Sequence, residues 1–203
     1  MQVRSLAGIS DPRETSPCLR NPRDPRLDMR PDTPVIPEIV TPRRLGDYLE
    51  VMTRAVFQAG LSWSQIAQHW DAYRAAFAGF DGAAVAAFSE ADVQRILETP
   101  GILRSPRKVS ATLHNAREML ELDREPGGFR RYLRGHEGYA ALAKDLKKRF
   151  AFMGEMNAWY FLFRVGEPVP RFEHWVKTIP GEHPRMREMV LLARSQGRSP
   201  ETE

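Results

Sequence analysis

Residues 56–63 combine side chains that could recognise a nucleobase. One helical pattern ends at Gly60 and another begins at Trp63, so Phe57, Gln58 and Trp63 flank one sharp corner. An aromatic ring beside an amide is what a pocket needs to stack and read a base. The alternative is a corner tryptophan that only fills the core, and the spacing alone leaves both interpretations open.

Residues 90–122 are typical of a helix, a tight turn and a second helix. The turn contains Pro100-Gly101, and Ser105-Pro106 favours a new helix start. Exposed backbone N–H groups and the positive end of the second helix dipole would together attract an anion such as a DNA phosphate. The residues that could hold this phosphate are Gly101, Arg104, Ser105, Arg107 and Lys108. An ordinary helical hairpin with a basic surface is the alternative.

Residues 152–161 place a carboxylate at the start of an apolar helix. Gly154 precedes the helix, Glu155 lies in its first turn, and Trp159 and Tyr160 follow. The helix dipole stabilises a carboxylate at this position. Glu155 could equally be a plain helix-start residue, and the two aromatic side chains could belong to the core.

The remaining pattern predicts an all-α fold. Apolar spacing of three and four residues recurs, whereas no alternating strand pattern and no internal repeat is found. Asp81 and the Ser89–Asp92 pair are expected to cap helices, and Gly127-Gly128 is expected to form a loop. Helices are predicted from Arg43 to Gly60 and over 63–77, 83–88, 90–98, 106–122, 139–150, 155–164 and 184–195. We expect one compact helical domain over 43–197 and a tail over 198–203.

Residues 1–42 differ in composition from this domain. They contain eight of the sixteen prolines, and all of their basic residues are arginine. Proline interrupts helices and the segment offers little to bury, so we expect a flexible arm. The arm could follow DNA phosphates, or it could be a solvated leader that precedes a true start at Met29.

Composition restricts the class of protein. The chain has 203 residues, 42% of them hydrophobic and 28% charged, as in an ordinary globular protein. Its one cysteine, Cys18, excludes a disulfide framework and a Cys-rich zinc module built from this chain alone. No apolar run reaches the length of a membrane span and no signal peptide is recognised, so we expect a cytoplasmic protein. The net charge of +4 permits a nucleic-acid partner without requiring one.

The three segments, in this order, resemble the DNA-3-methyladenine glycosylase I family of helix-hairpin-helix base-excision glycosylases. The resemblance covers about residues 45–165. It is strongest in Gln58-Ala59-Gly60-Leu61-Ser62-Trp63 and continues in Gly101-Ile102-Leu103-Arg104, Asn115-Ala116-Arg117 and Phe152-Met153-Gly154.

The resemblance implies a function and a partner. The family excises N3-methylated adenine, so the expected partner is double-stranded DNA with alkylated bases, bound by a monomer without a cofactor. Trp63 would stack on the flipped base with Phe57 and Gln58 beside it, and the turn with Gly101 would grip the backbone. A monofunctional hydrolase is expected, because no lysine replaces the family's pocket carboxylate.

The chain also departs from the family pattern. Ala55 stands where the family has a glutamate, three residues before Gln58. The family's zinc ligands lack counterparts, although His174 and His183 are present, so no structural zinc is expected. The family's N-terminal pocket aromatics are replaced by the proline- and arginine-rich arm.

Other residues must then supply the lost functions. Glu155 is the first candidate for the catalytic carboxylate and Glu50 is the second. Trp159 and Tyr160 are candidates for the missing pocket aromatics, and His174 and Trp175 for the pocket rim. A non-catalytic DNA lesion-binding module and a helical protein-interaction adaptor remain alternative functions.

Overall fold

The computed structural model describes residues 39–59 and 63–180, and all regular elements in these ranges are helical. This confirms the all-α prediction. The helices are α1 (Leu45–Gln58), α2 (Trp63–Gln68), α3 (Trp70–Ala76), α4 (Gly82–Ala86), α5 (Glu90–Glu98), α6 (Pro106–Arg124), α7 (Gly128–Arg134), α8 (Gly138–Arg149), α9 (Glu155–Arg164) and α10 (Phe172–Trp175), with 3₁₀ turns at Ala78–Phe80 and Val176–Thr178. None of the helices in these ranges is long and apolar enough to cross a bilayer. Residues 1–38 of the predicted arm, the break at Gly60, the predicted helix 184–195 and the tail lie outside the described residues.

Helices α1 and α6 form the centre of the domain. Helix α6 packs against α1, α4, α5 and α7, and α1 also packs against α9. Leu49, Met52 and Val56 repeat at helical spacing on α1 and are fully buried, as the apolar pattern predicted. Because α1 is enclosed by two helices, polar side chains near its carboxyl end are also drawn into the interior.

The capping signals position several helix boundaries. The Ser89 backbone N–H donates to Asp92 Oδ2 (2.9 Å), and the Asp92 N–H donates to Ser89 Oγ (3.4 Å), which forms the predicted capping box of α5. Asp81 Oδ1 accepts from the Ala84 N–H (2.8 Å) and caps α4. Pro106 is the first residue of α6, but its N-cap Ser105 makes no side-chain capping bond.

Two helices differ from the prediction. The single helix expected over 63–77 is divided at His69, whose φ of −111° and ψ of 11° interrupt the helical backbone. The turn predicted at Gly127-Gly128 is present over 125–127, but the sequence analysis missed α7, which begins at Gly128; both glycines have positive φ. Phe129 and Leu133 are buried one turn apart, and this i, i+4 pair was the sequence signal for α7.

Side-chain hydrogen bonds hold the long helix α6 in place. Asn115 accepts from the Ala151 N–H (2.8 Å) and donates to the Ala151 carbonyl (3.1 Å). Arg117 donates to the carbonyls of Ala86 and Phe88 at 2.9 and 3.2 Å. These bonds fix α6 between the α4–α5 connection and the α8–α9 connection, and so fix the turn at its amino end.

Candidate base pocket and nucleic-acid interface

An aromatic pair lies where α2 begins and α9 passes α1. The rings of Trp63 and Tyr160 meet edge to face with centroids 5.1 Å apart. Tyr160 also accepts a hydrogen bond on its hydroxyl from Arg164 Nη1 at 2.6 Å, since the two residues are one helical turn apart. We define the candidate base pocket as Trp63, Tyr160, Arg164 and the nearby α1 residues Arg54 and Gln58.

Two buried polar atoms at this pocket lack partners. Trp63 and Gln58 are each 3% exposed. Neither Trp63 Nε1 nor Gln58 Oε1 has a hydrogen-bond partner among the described residues. Leaving a buried donor or acceptor unsatisfied costs about 1–3 kcal/mol, so such groups are rare in a purely structural core. Thr53 Oγ1 and the Tyr139 hydroxyl also lack a partner among the described residues, so Trp63 Nε1 and Gln58 Oε1 are candidates for ligand contacts only because they lie beside the aromatic pair.

Arg54 adds a guanidinium group to the same part of α1. It lies one turn before Gln58, half-buried, with its Cζ 4.3 Å from the centroid of the Trp70 ring. It makes no hydrogen bond or ion pair with any described residue. Burial lowers the pKa of Arg54, and Tyr160 and Arg164 are the next groups that influence it. An arginine remains protonated at neutral pH, so Arg54 places a positive charge at the pocket, which the Glu50 carboxylate partly offsets.

Glu50 lies one turn before Arg54 on α1. Its Oε1 accepts from Trp70 Nε1 and from Arg74 Nε, both at 2.8 Å. These bonds fix the carboxylate beside the Trp70 ring on which Arg54 stacks. Spacing of four residues places Glu50, Arg54 and Gln58 along one stripe of α1.

Ala55 is fully buried among core residues. Its methyl group can neither donate nor accept a hydrogen bond, so the position that the resemblance assigns to a glutamate is apolar here. Polar recognition in the pocket must come from its neighbours on α1 and α9.

Phe57 belongs to the core and not to the pocket. It is fully buried, and its ring packs edge to face on Tyr73 (centroids 4.8 Å apart) and Phe77 (6.2 Å). Helical geometry explains this, since adjacent residues are turned by about 100° and Phe57 is on the side of α1 that faces α3. The expectation that Phe57 lies beside a bound base was therefore wrong.

Lys108 was also placed incorrectly by sequence reasoning. The side chain is 8% exposed, and its Nζ donates to the carbonyl oxygens of Phe57 (2.9 Å) and Ala59 (2.6 Å). The ammonium thereby neutralises the negative carboxyl end of α1. Lys108 links α6 to α1 and does not face solvent as a phosphate-binding residue would.

The turn between α5 and α6 retains the other features of an anion site. Gly101 has φ of +85°, which favours glycine, and a Cβ there would lie only 3.1 Å from His69 Nδ1, a tight contact. The N–H of Leu103 donates to the Tyr73 hydroxyl at 3.0 Å, which anchors the turn. The N–H groups of Gly101 and Arg104 make no hydrogen bond to a described residue. The side chains of Arg104 and Arg107 are exposed and Ser105 is half-buried.

Helix α9 presents Trp159 and Tyr160, the two predicted pocket aromatics, on different sides. Trp159 is fully buried, donates from Nε1 to the Pro170 carbonyl (3.0 Å), and stacks on Phe163 and Trp175 with centroids 4.9 and 5.7 Å apart. Tyr160 instead contacts Trp63. Trp159 and Trp175 thus form a separate aromatic cluster, which contradicts their assignment to the pocket and its rim. His174, the other predicted rim residue, is exposed on α10.

Glu155 lies on the same side of α9 as Trp159, four residues earlier. It is five residues before Tyr160, a rotation of about 140° around the helix. Its carboxylate is 3.8 Å from Lys147 Nζ, with 43% of the side chain exposed. The electrostatic influence of Glu155 reaches Tyr139, whose pKa is raised mainly by burial and further by this carboxylate.

Sequence reasoning missed Arg54 and Arg164. The spacing of Glu50, Arg54 and Gln58 was a usable signal, because residues four apart share a helix face. Arg164 had no comparable signal, since its position depends on how α9 packs against α1.

No metal site is found in the described ranges. Within residues 39–59 and 63–180, no three His, Cys, Asp or Glu side chains converge as a ligand set. Cys18 and His183 lie outside these ranges.

The fold is thus an all-helical domain in which α5, a glycine turn and α6 form a helix-hairpin-helix element. A model of the methyladenine glycosylase family matches residues 46–141. DNA-3-methyladenine glycosylase 1 of Escherichia coli (strain K12) is 32% identical over a 130-residue alignment that covers 54% of this chain and 70% of that protein. DNA-3-methyladenine glycosylase of Haemophilus influenzae (strain ATCC 51907 / DSM 11121 / KW20 / Rd) is 27% identical with the same coverage.

A solved structure agrees with these relatives. A crystal structure of 3-methyladenine DNA glycosylase I matches with a TM-score of 0.56 and 30% identity, over 63% of this chain and 81% of that chain. The chain belongs to the methyladenine glycosylase family.

Proposed function

We propose that this chain is a DNA glycosylase that hydrolyses the N-glycosidic bond of an alkylated base flipped out of duplex DNA. The observation that carries the proposal is the Trp63–Tyr160 pair, beside which a buried donor and a buried acceptor have no partner in the part of the chain that the structure describes. A flipped base needs an aromatic surface and hydrogen bonds to its edge. Family membership supports the reaction class, since the named relatives are DNA-3-methyladenine glycosylases.

The α5–α6 turn supplies the contact with the DNA backbone. The N–H groups of Gly101 and Arg104, which make no hydrogen bond within residues 39–59 and 63–180, bind one phosphate together with the amino end of α6. Exposed Arg104 and Arg107 contribute positive charge. Phosphate contacts set the position and orientation of the protein on the duplex without reading its sequence. Base recognition is left to the candidate base pocket.

Hydrolysis requires stabilisation of an oxocarbenium-like sugar and activation of water. A carboxylate near the sugar can serve both needs. Glu50 and Glu155 are the two candidates. Glu50 shares a stripe of α1 with Arg54 and Gln58, whereas Glu155 lies on the side of α9 turned away from Tyr160. We assign the role to Glu50 in preference to Glu155.

Release of free base from methylated DNA tests this function. Wild type is expected to release 3-methyladenine. Glu50→Gln should lose most of the rate while retaining DNA binding, and Glu155→Gln should retain the rate. Loss of rate in Glu155→Gln with normal activity in Glu50→Gln would reverse the assignment of the carboxylate.

A DNA lesion-binding protein without catalysis is the second candidate. The apolar, buried Ala55 favours it, because no carboxylate occupies that position. This alternative is supported if methylated DNA is bound more tightly than unmodified DNA, and no free base is released.

A further inference from the structure

We infer that the imidazole of His69 is a further contact for the DNA phosphate at the α5–α6 turn, and that its protonation strengthens DNA binding as the pH falls. The inference rests on the proposal that this turn binds the DNA backbone. It adds a residue from outside the hairpin to the phosphate site, and it makes part of the affinity for DNA depend on pH.

His69 lies directly against the hairpin turn. It is the N-cap residue of α3, and its side chain is exposed. A Cβ built on Gly101 would lie 3.1 Å from Nδ1 and 3.3 Å from Cγ of the imidazole. The ring therefore lies beside the Gly101 backbone, whose N–H makes no hydrogen bond to a described residue.

Helix α3 holds the imidazole and the turn in a fixed relation. Tyr73 is one helical turn after His69, so the two side chains share a face of α3. The Tyr73 hydroxyl accepts from the Leu103 N–H at 3.0 Å, and the Tyr73 ring stacks on Trp70 with centroids 5.0 Å apart. Because α3 contacts the turn at both His69 and Tyr73, the imidazole stays beside an anion that the turn binds.

The imidazole nitrogens of His69 have no role in the fold within the part of the chain that the structure describes. The side chain does not cap α3, and it makes no hydrogen bond or ion pair with residues 39–59 or 63–180. His114 and His136 differ, since each has a ring nitrogen next to a backbone carbonyl oxygen, that of Arg149 (2.8 Å) and of Tyr132 (3.0 Å). A donor on His69 is therefore available to a ligand.

Charged groups of both signs surround His69, and none of those described is paired with it. The titratable and charged groups on the neighbouring elements are Asp71, Tyr73 and Arg74 on α3, Glu50 and Arg54 on α1, and Glu98, Arg104, Arg107 and Lys108 on the hairpin. Glu50 is already bonded to Arg74 at 2.8 Å. A phosphodiester at the turn would stabilise the protonated imidazole. DNA binding then takes up a proton at His69, so affinity rises on acidification.

The test measures the affinity for a labelled, undamaged duplex by fluorescence anisotropy over a range of salt concentrations. It is made at about pH 5.5 and about pH 8, between which a histidine changes its charge. Wild type should bind about 2- to 5-fold more tightly at the lower pH, as expected for one exposed charge pair. Its slope of log affinity against log salt should be steeper there by up to about 0.9.

Two variants at position 69 separate the charge from the side chain. His69→Gln keeps a donor but does not titrate, so it should lose both differences. His69→Lys is charged at both pH values and should bind at the higher pH as tightly as wild type binds at the lower one. His114→Gln is the matched control, because it removes another exposed histidine whose ring is already bonded to the Arg149 carbonyl, and it should keep the wild-type pH dependence.

The inference is overturned by a pH dependence that persists in His69→Gln, or by a His69→Lys variant that gains no affinity at the higher pH. Thermal midpoints show whether each variant is folded, and the gain in His69→Lys decides the matter if His69→Gln is unstable. A free phosphate ion offers the same chemistry as DNA. Inorganic phosphate at constant ionic strength that displaces the duplex from wild type but not from His69→Gln would assign His69 to the free ion and overturn the DNA contact.

These measurements are independent of base excision, since the duplex carries no lesion. Release of 3-methyladenine by a wild type whose DNA affinity does not change with pH would overturn this inference alone. A pH dependence that requires His69, without release of any base from methylated DNA, would overturn the glycosylase proposal and support the phosphate contact.

Discussion

Polar side chains make hydrogen bonds in the cluster around Asp145, whereas two buried polar atoms of the candidate base pocket make none with the described residues. Asp145 Oδ2 accepts from the Tyr132 hydroxyl (2.9 Å) and Arg149 Nε (3.0 Å), and His136 Nε2 lies 3.4 Å away. In the pocket, Trp63 Nε1 and Gln58 Oε1 have no partner in the described ranges. A satisfied polar cluster stabilises the fold, whereas unsatisfied buried groups lower its stability unless a ligand completes them.

The largest expected stability effect is therefore in the Asp145 cluster. Asp145→Ala should lower the free energy of unfolding by about 2 kcal/mol, because it leaves Tyr132 and Arg149 without their acceptor. Urea unfolding measures this loss. Glu121→Ala removes an exposed carboxylate that pairs with the exposed Arg124 and is the matched control, with little expected change. Equal losses in the two variants would remove the contrast between the cluster and an ordinary surface pair.

In the candidate base pocket, by contrast, a substitution is expected to lower activity more than it lowers stability. Trp63→Leu should reduce kcat/KM for base excision by about 10- to 100-fold, since one base–aromatic stack contributes about 1–3 kcal/mol. Trp63→Phe keeps an aromatic surface and loses an N–H that has no partner among the described residues. It should therefore cost less stability than Asp145→Ala, mainly through the smaller buried ring. A Trp63→Phe variant as unstable as Asp145→Ala would show that the indole N–H has a structural role.

Lys108 makes internal hydrogen bonds, as the residues of the Asp145 cluster do, although the sequence analysis predicted that it binds a DNA phosphate. Lys108→Met keeps the apolar stem but leaves the carbonyls of Phe57 and Ala59 without their donor, so it should destabilise the protein by about 1–3 kcal/mol. The salt dependence of DNA binding should not change. Arg107→Gln on the same helix should show the reverse behaviour, and a weaker salt dependence in Lys108→Met would restore the phosphate role.

A smaller effect is expected on the pH dependence of stability, through the Asp145 carboxylate. Burial raises the pKa of Asp145, but hydrogen bonds from Tyr132, Arg149 and His136 outweigh it and hold the pKa below its ordinary value. This carboxylate thus contributes stability above its unfolded pKa of about 4, which is lost as the pH falls through the folded pKa. The difference in unfolding free energy between wild type and Asp145→Asn should shrink on acidification, and a constant difference would contradict this linkage.

The sequence predicted local features of this molecule better than tertiary ones. The capping residues of α5 and Pro106 at the start of α6 placed the helix-hairpin-helix boundaries, because these signals act within a few residues. Phe57 was misplaced because α1 is enclosed by other helices and has no single outward face. Lys108 was misplaced because its ammonium on α6 binds carbonyls at the end of α1, about 50 residues earlier in the chain. The surroundings of Arg54 depend on Trp70 from α3 and on Tyr160 and Arg164 from α9, and no local pattern encodes that arrangement.

The smallest expected effect concerns the hairpin, which differs from the pocket in that it binds without reading the base. Arg104→Gln and Arg107→Gln should each reduce the slope of log affinity against log salt by about 0.9, the value for one phosphate contact on duplex DNA. Arg124→Gln is the control, since α6 has 19 residues and a rise of about 1.5 Å per residue places Arg124 far from the turn. Because a phosphate contact carries no base information, the loss should be the same for damaged and undamaged duplexes. A loss confined to damaged DNA would instead assign these arginines to lesion recognition. It would contradict the proposal that the hairpin binds phosphate while the pocket alone recognises the base.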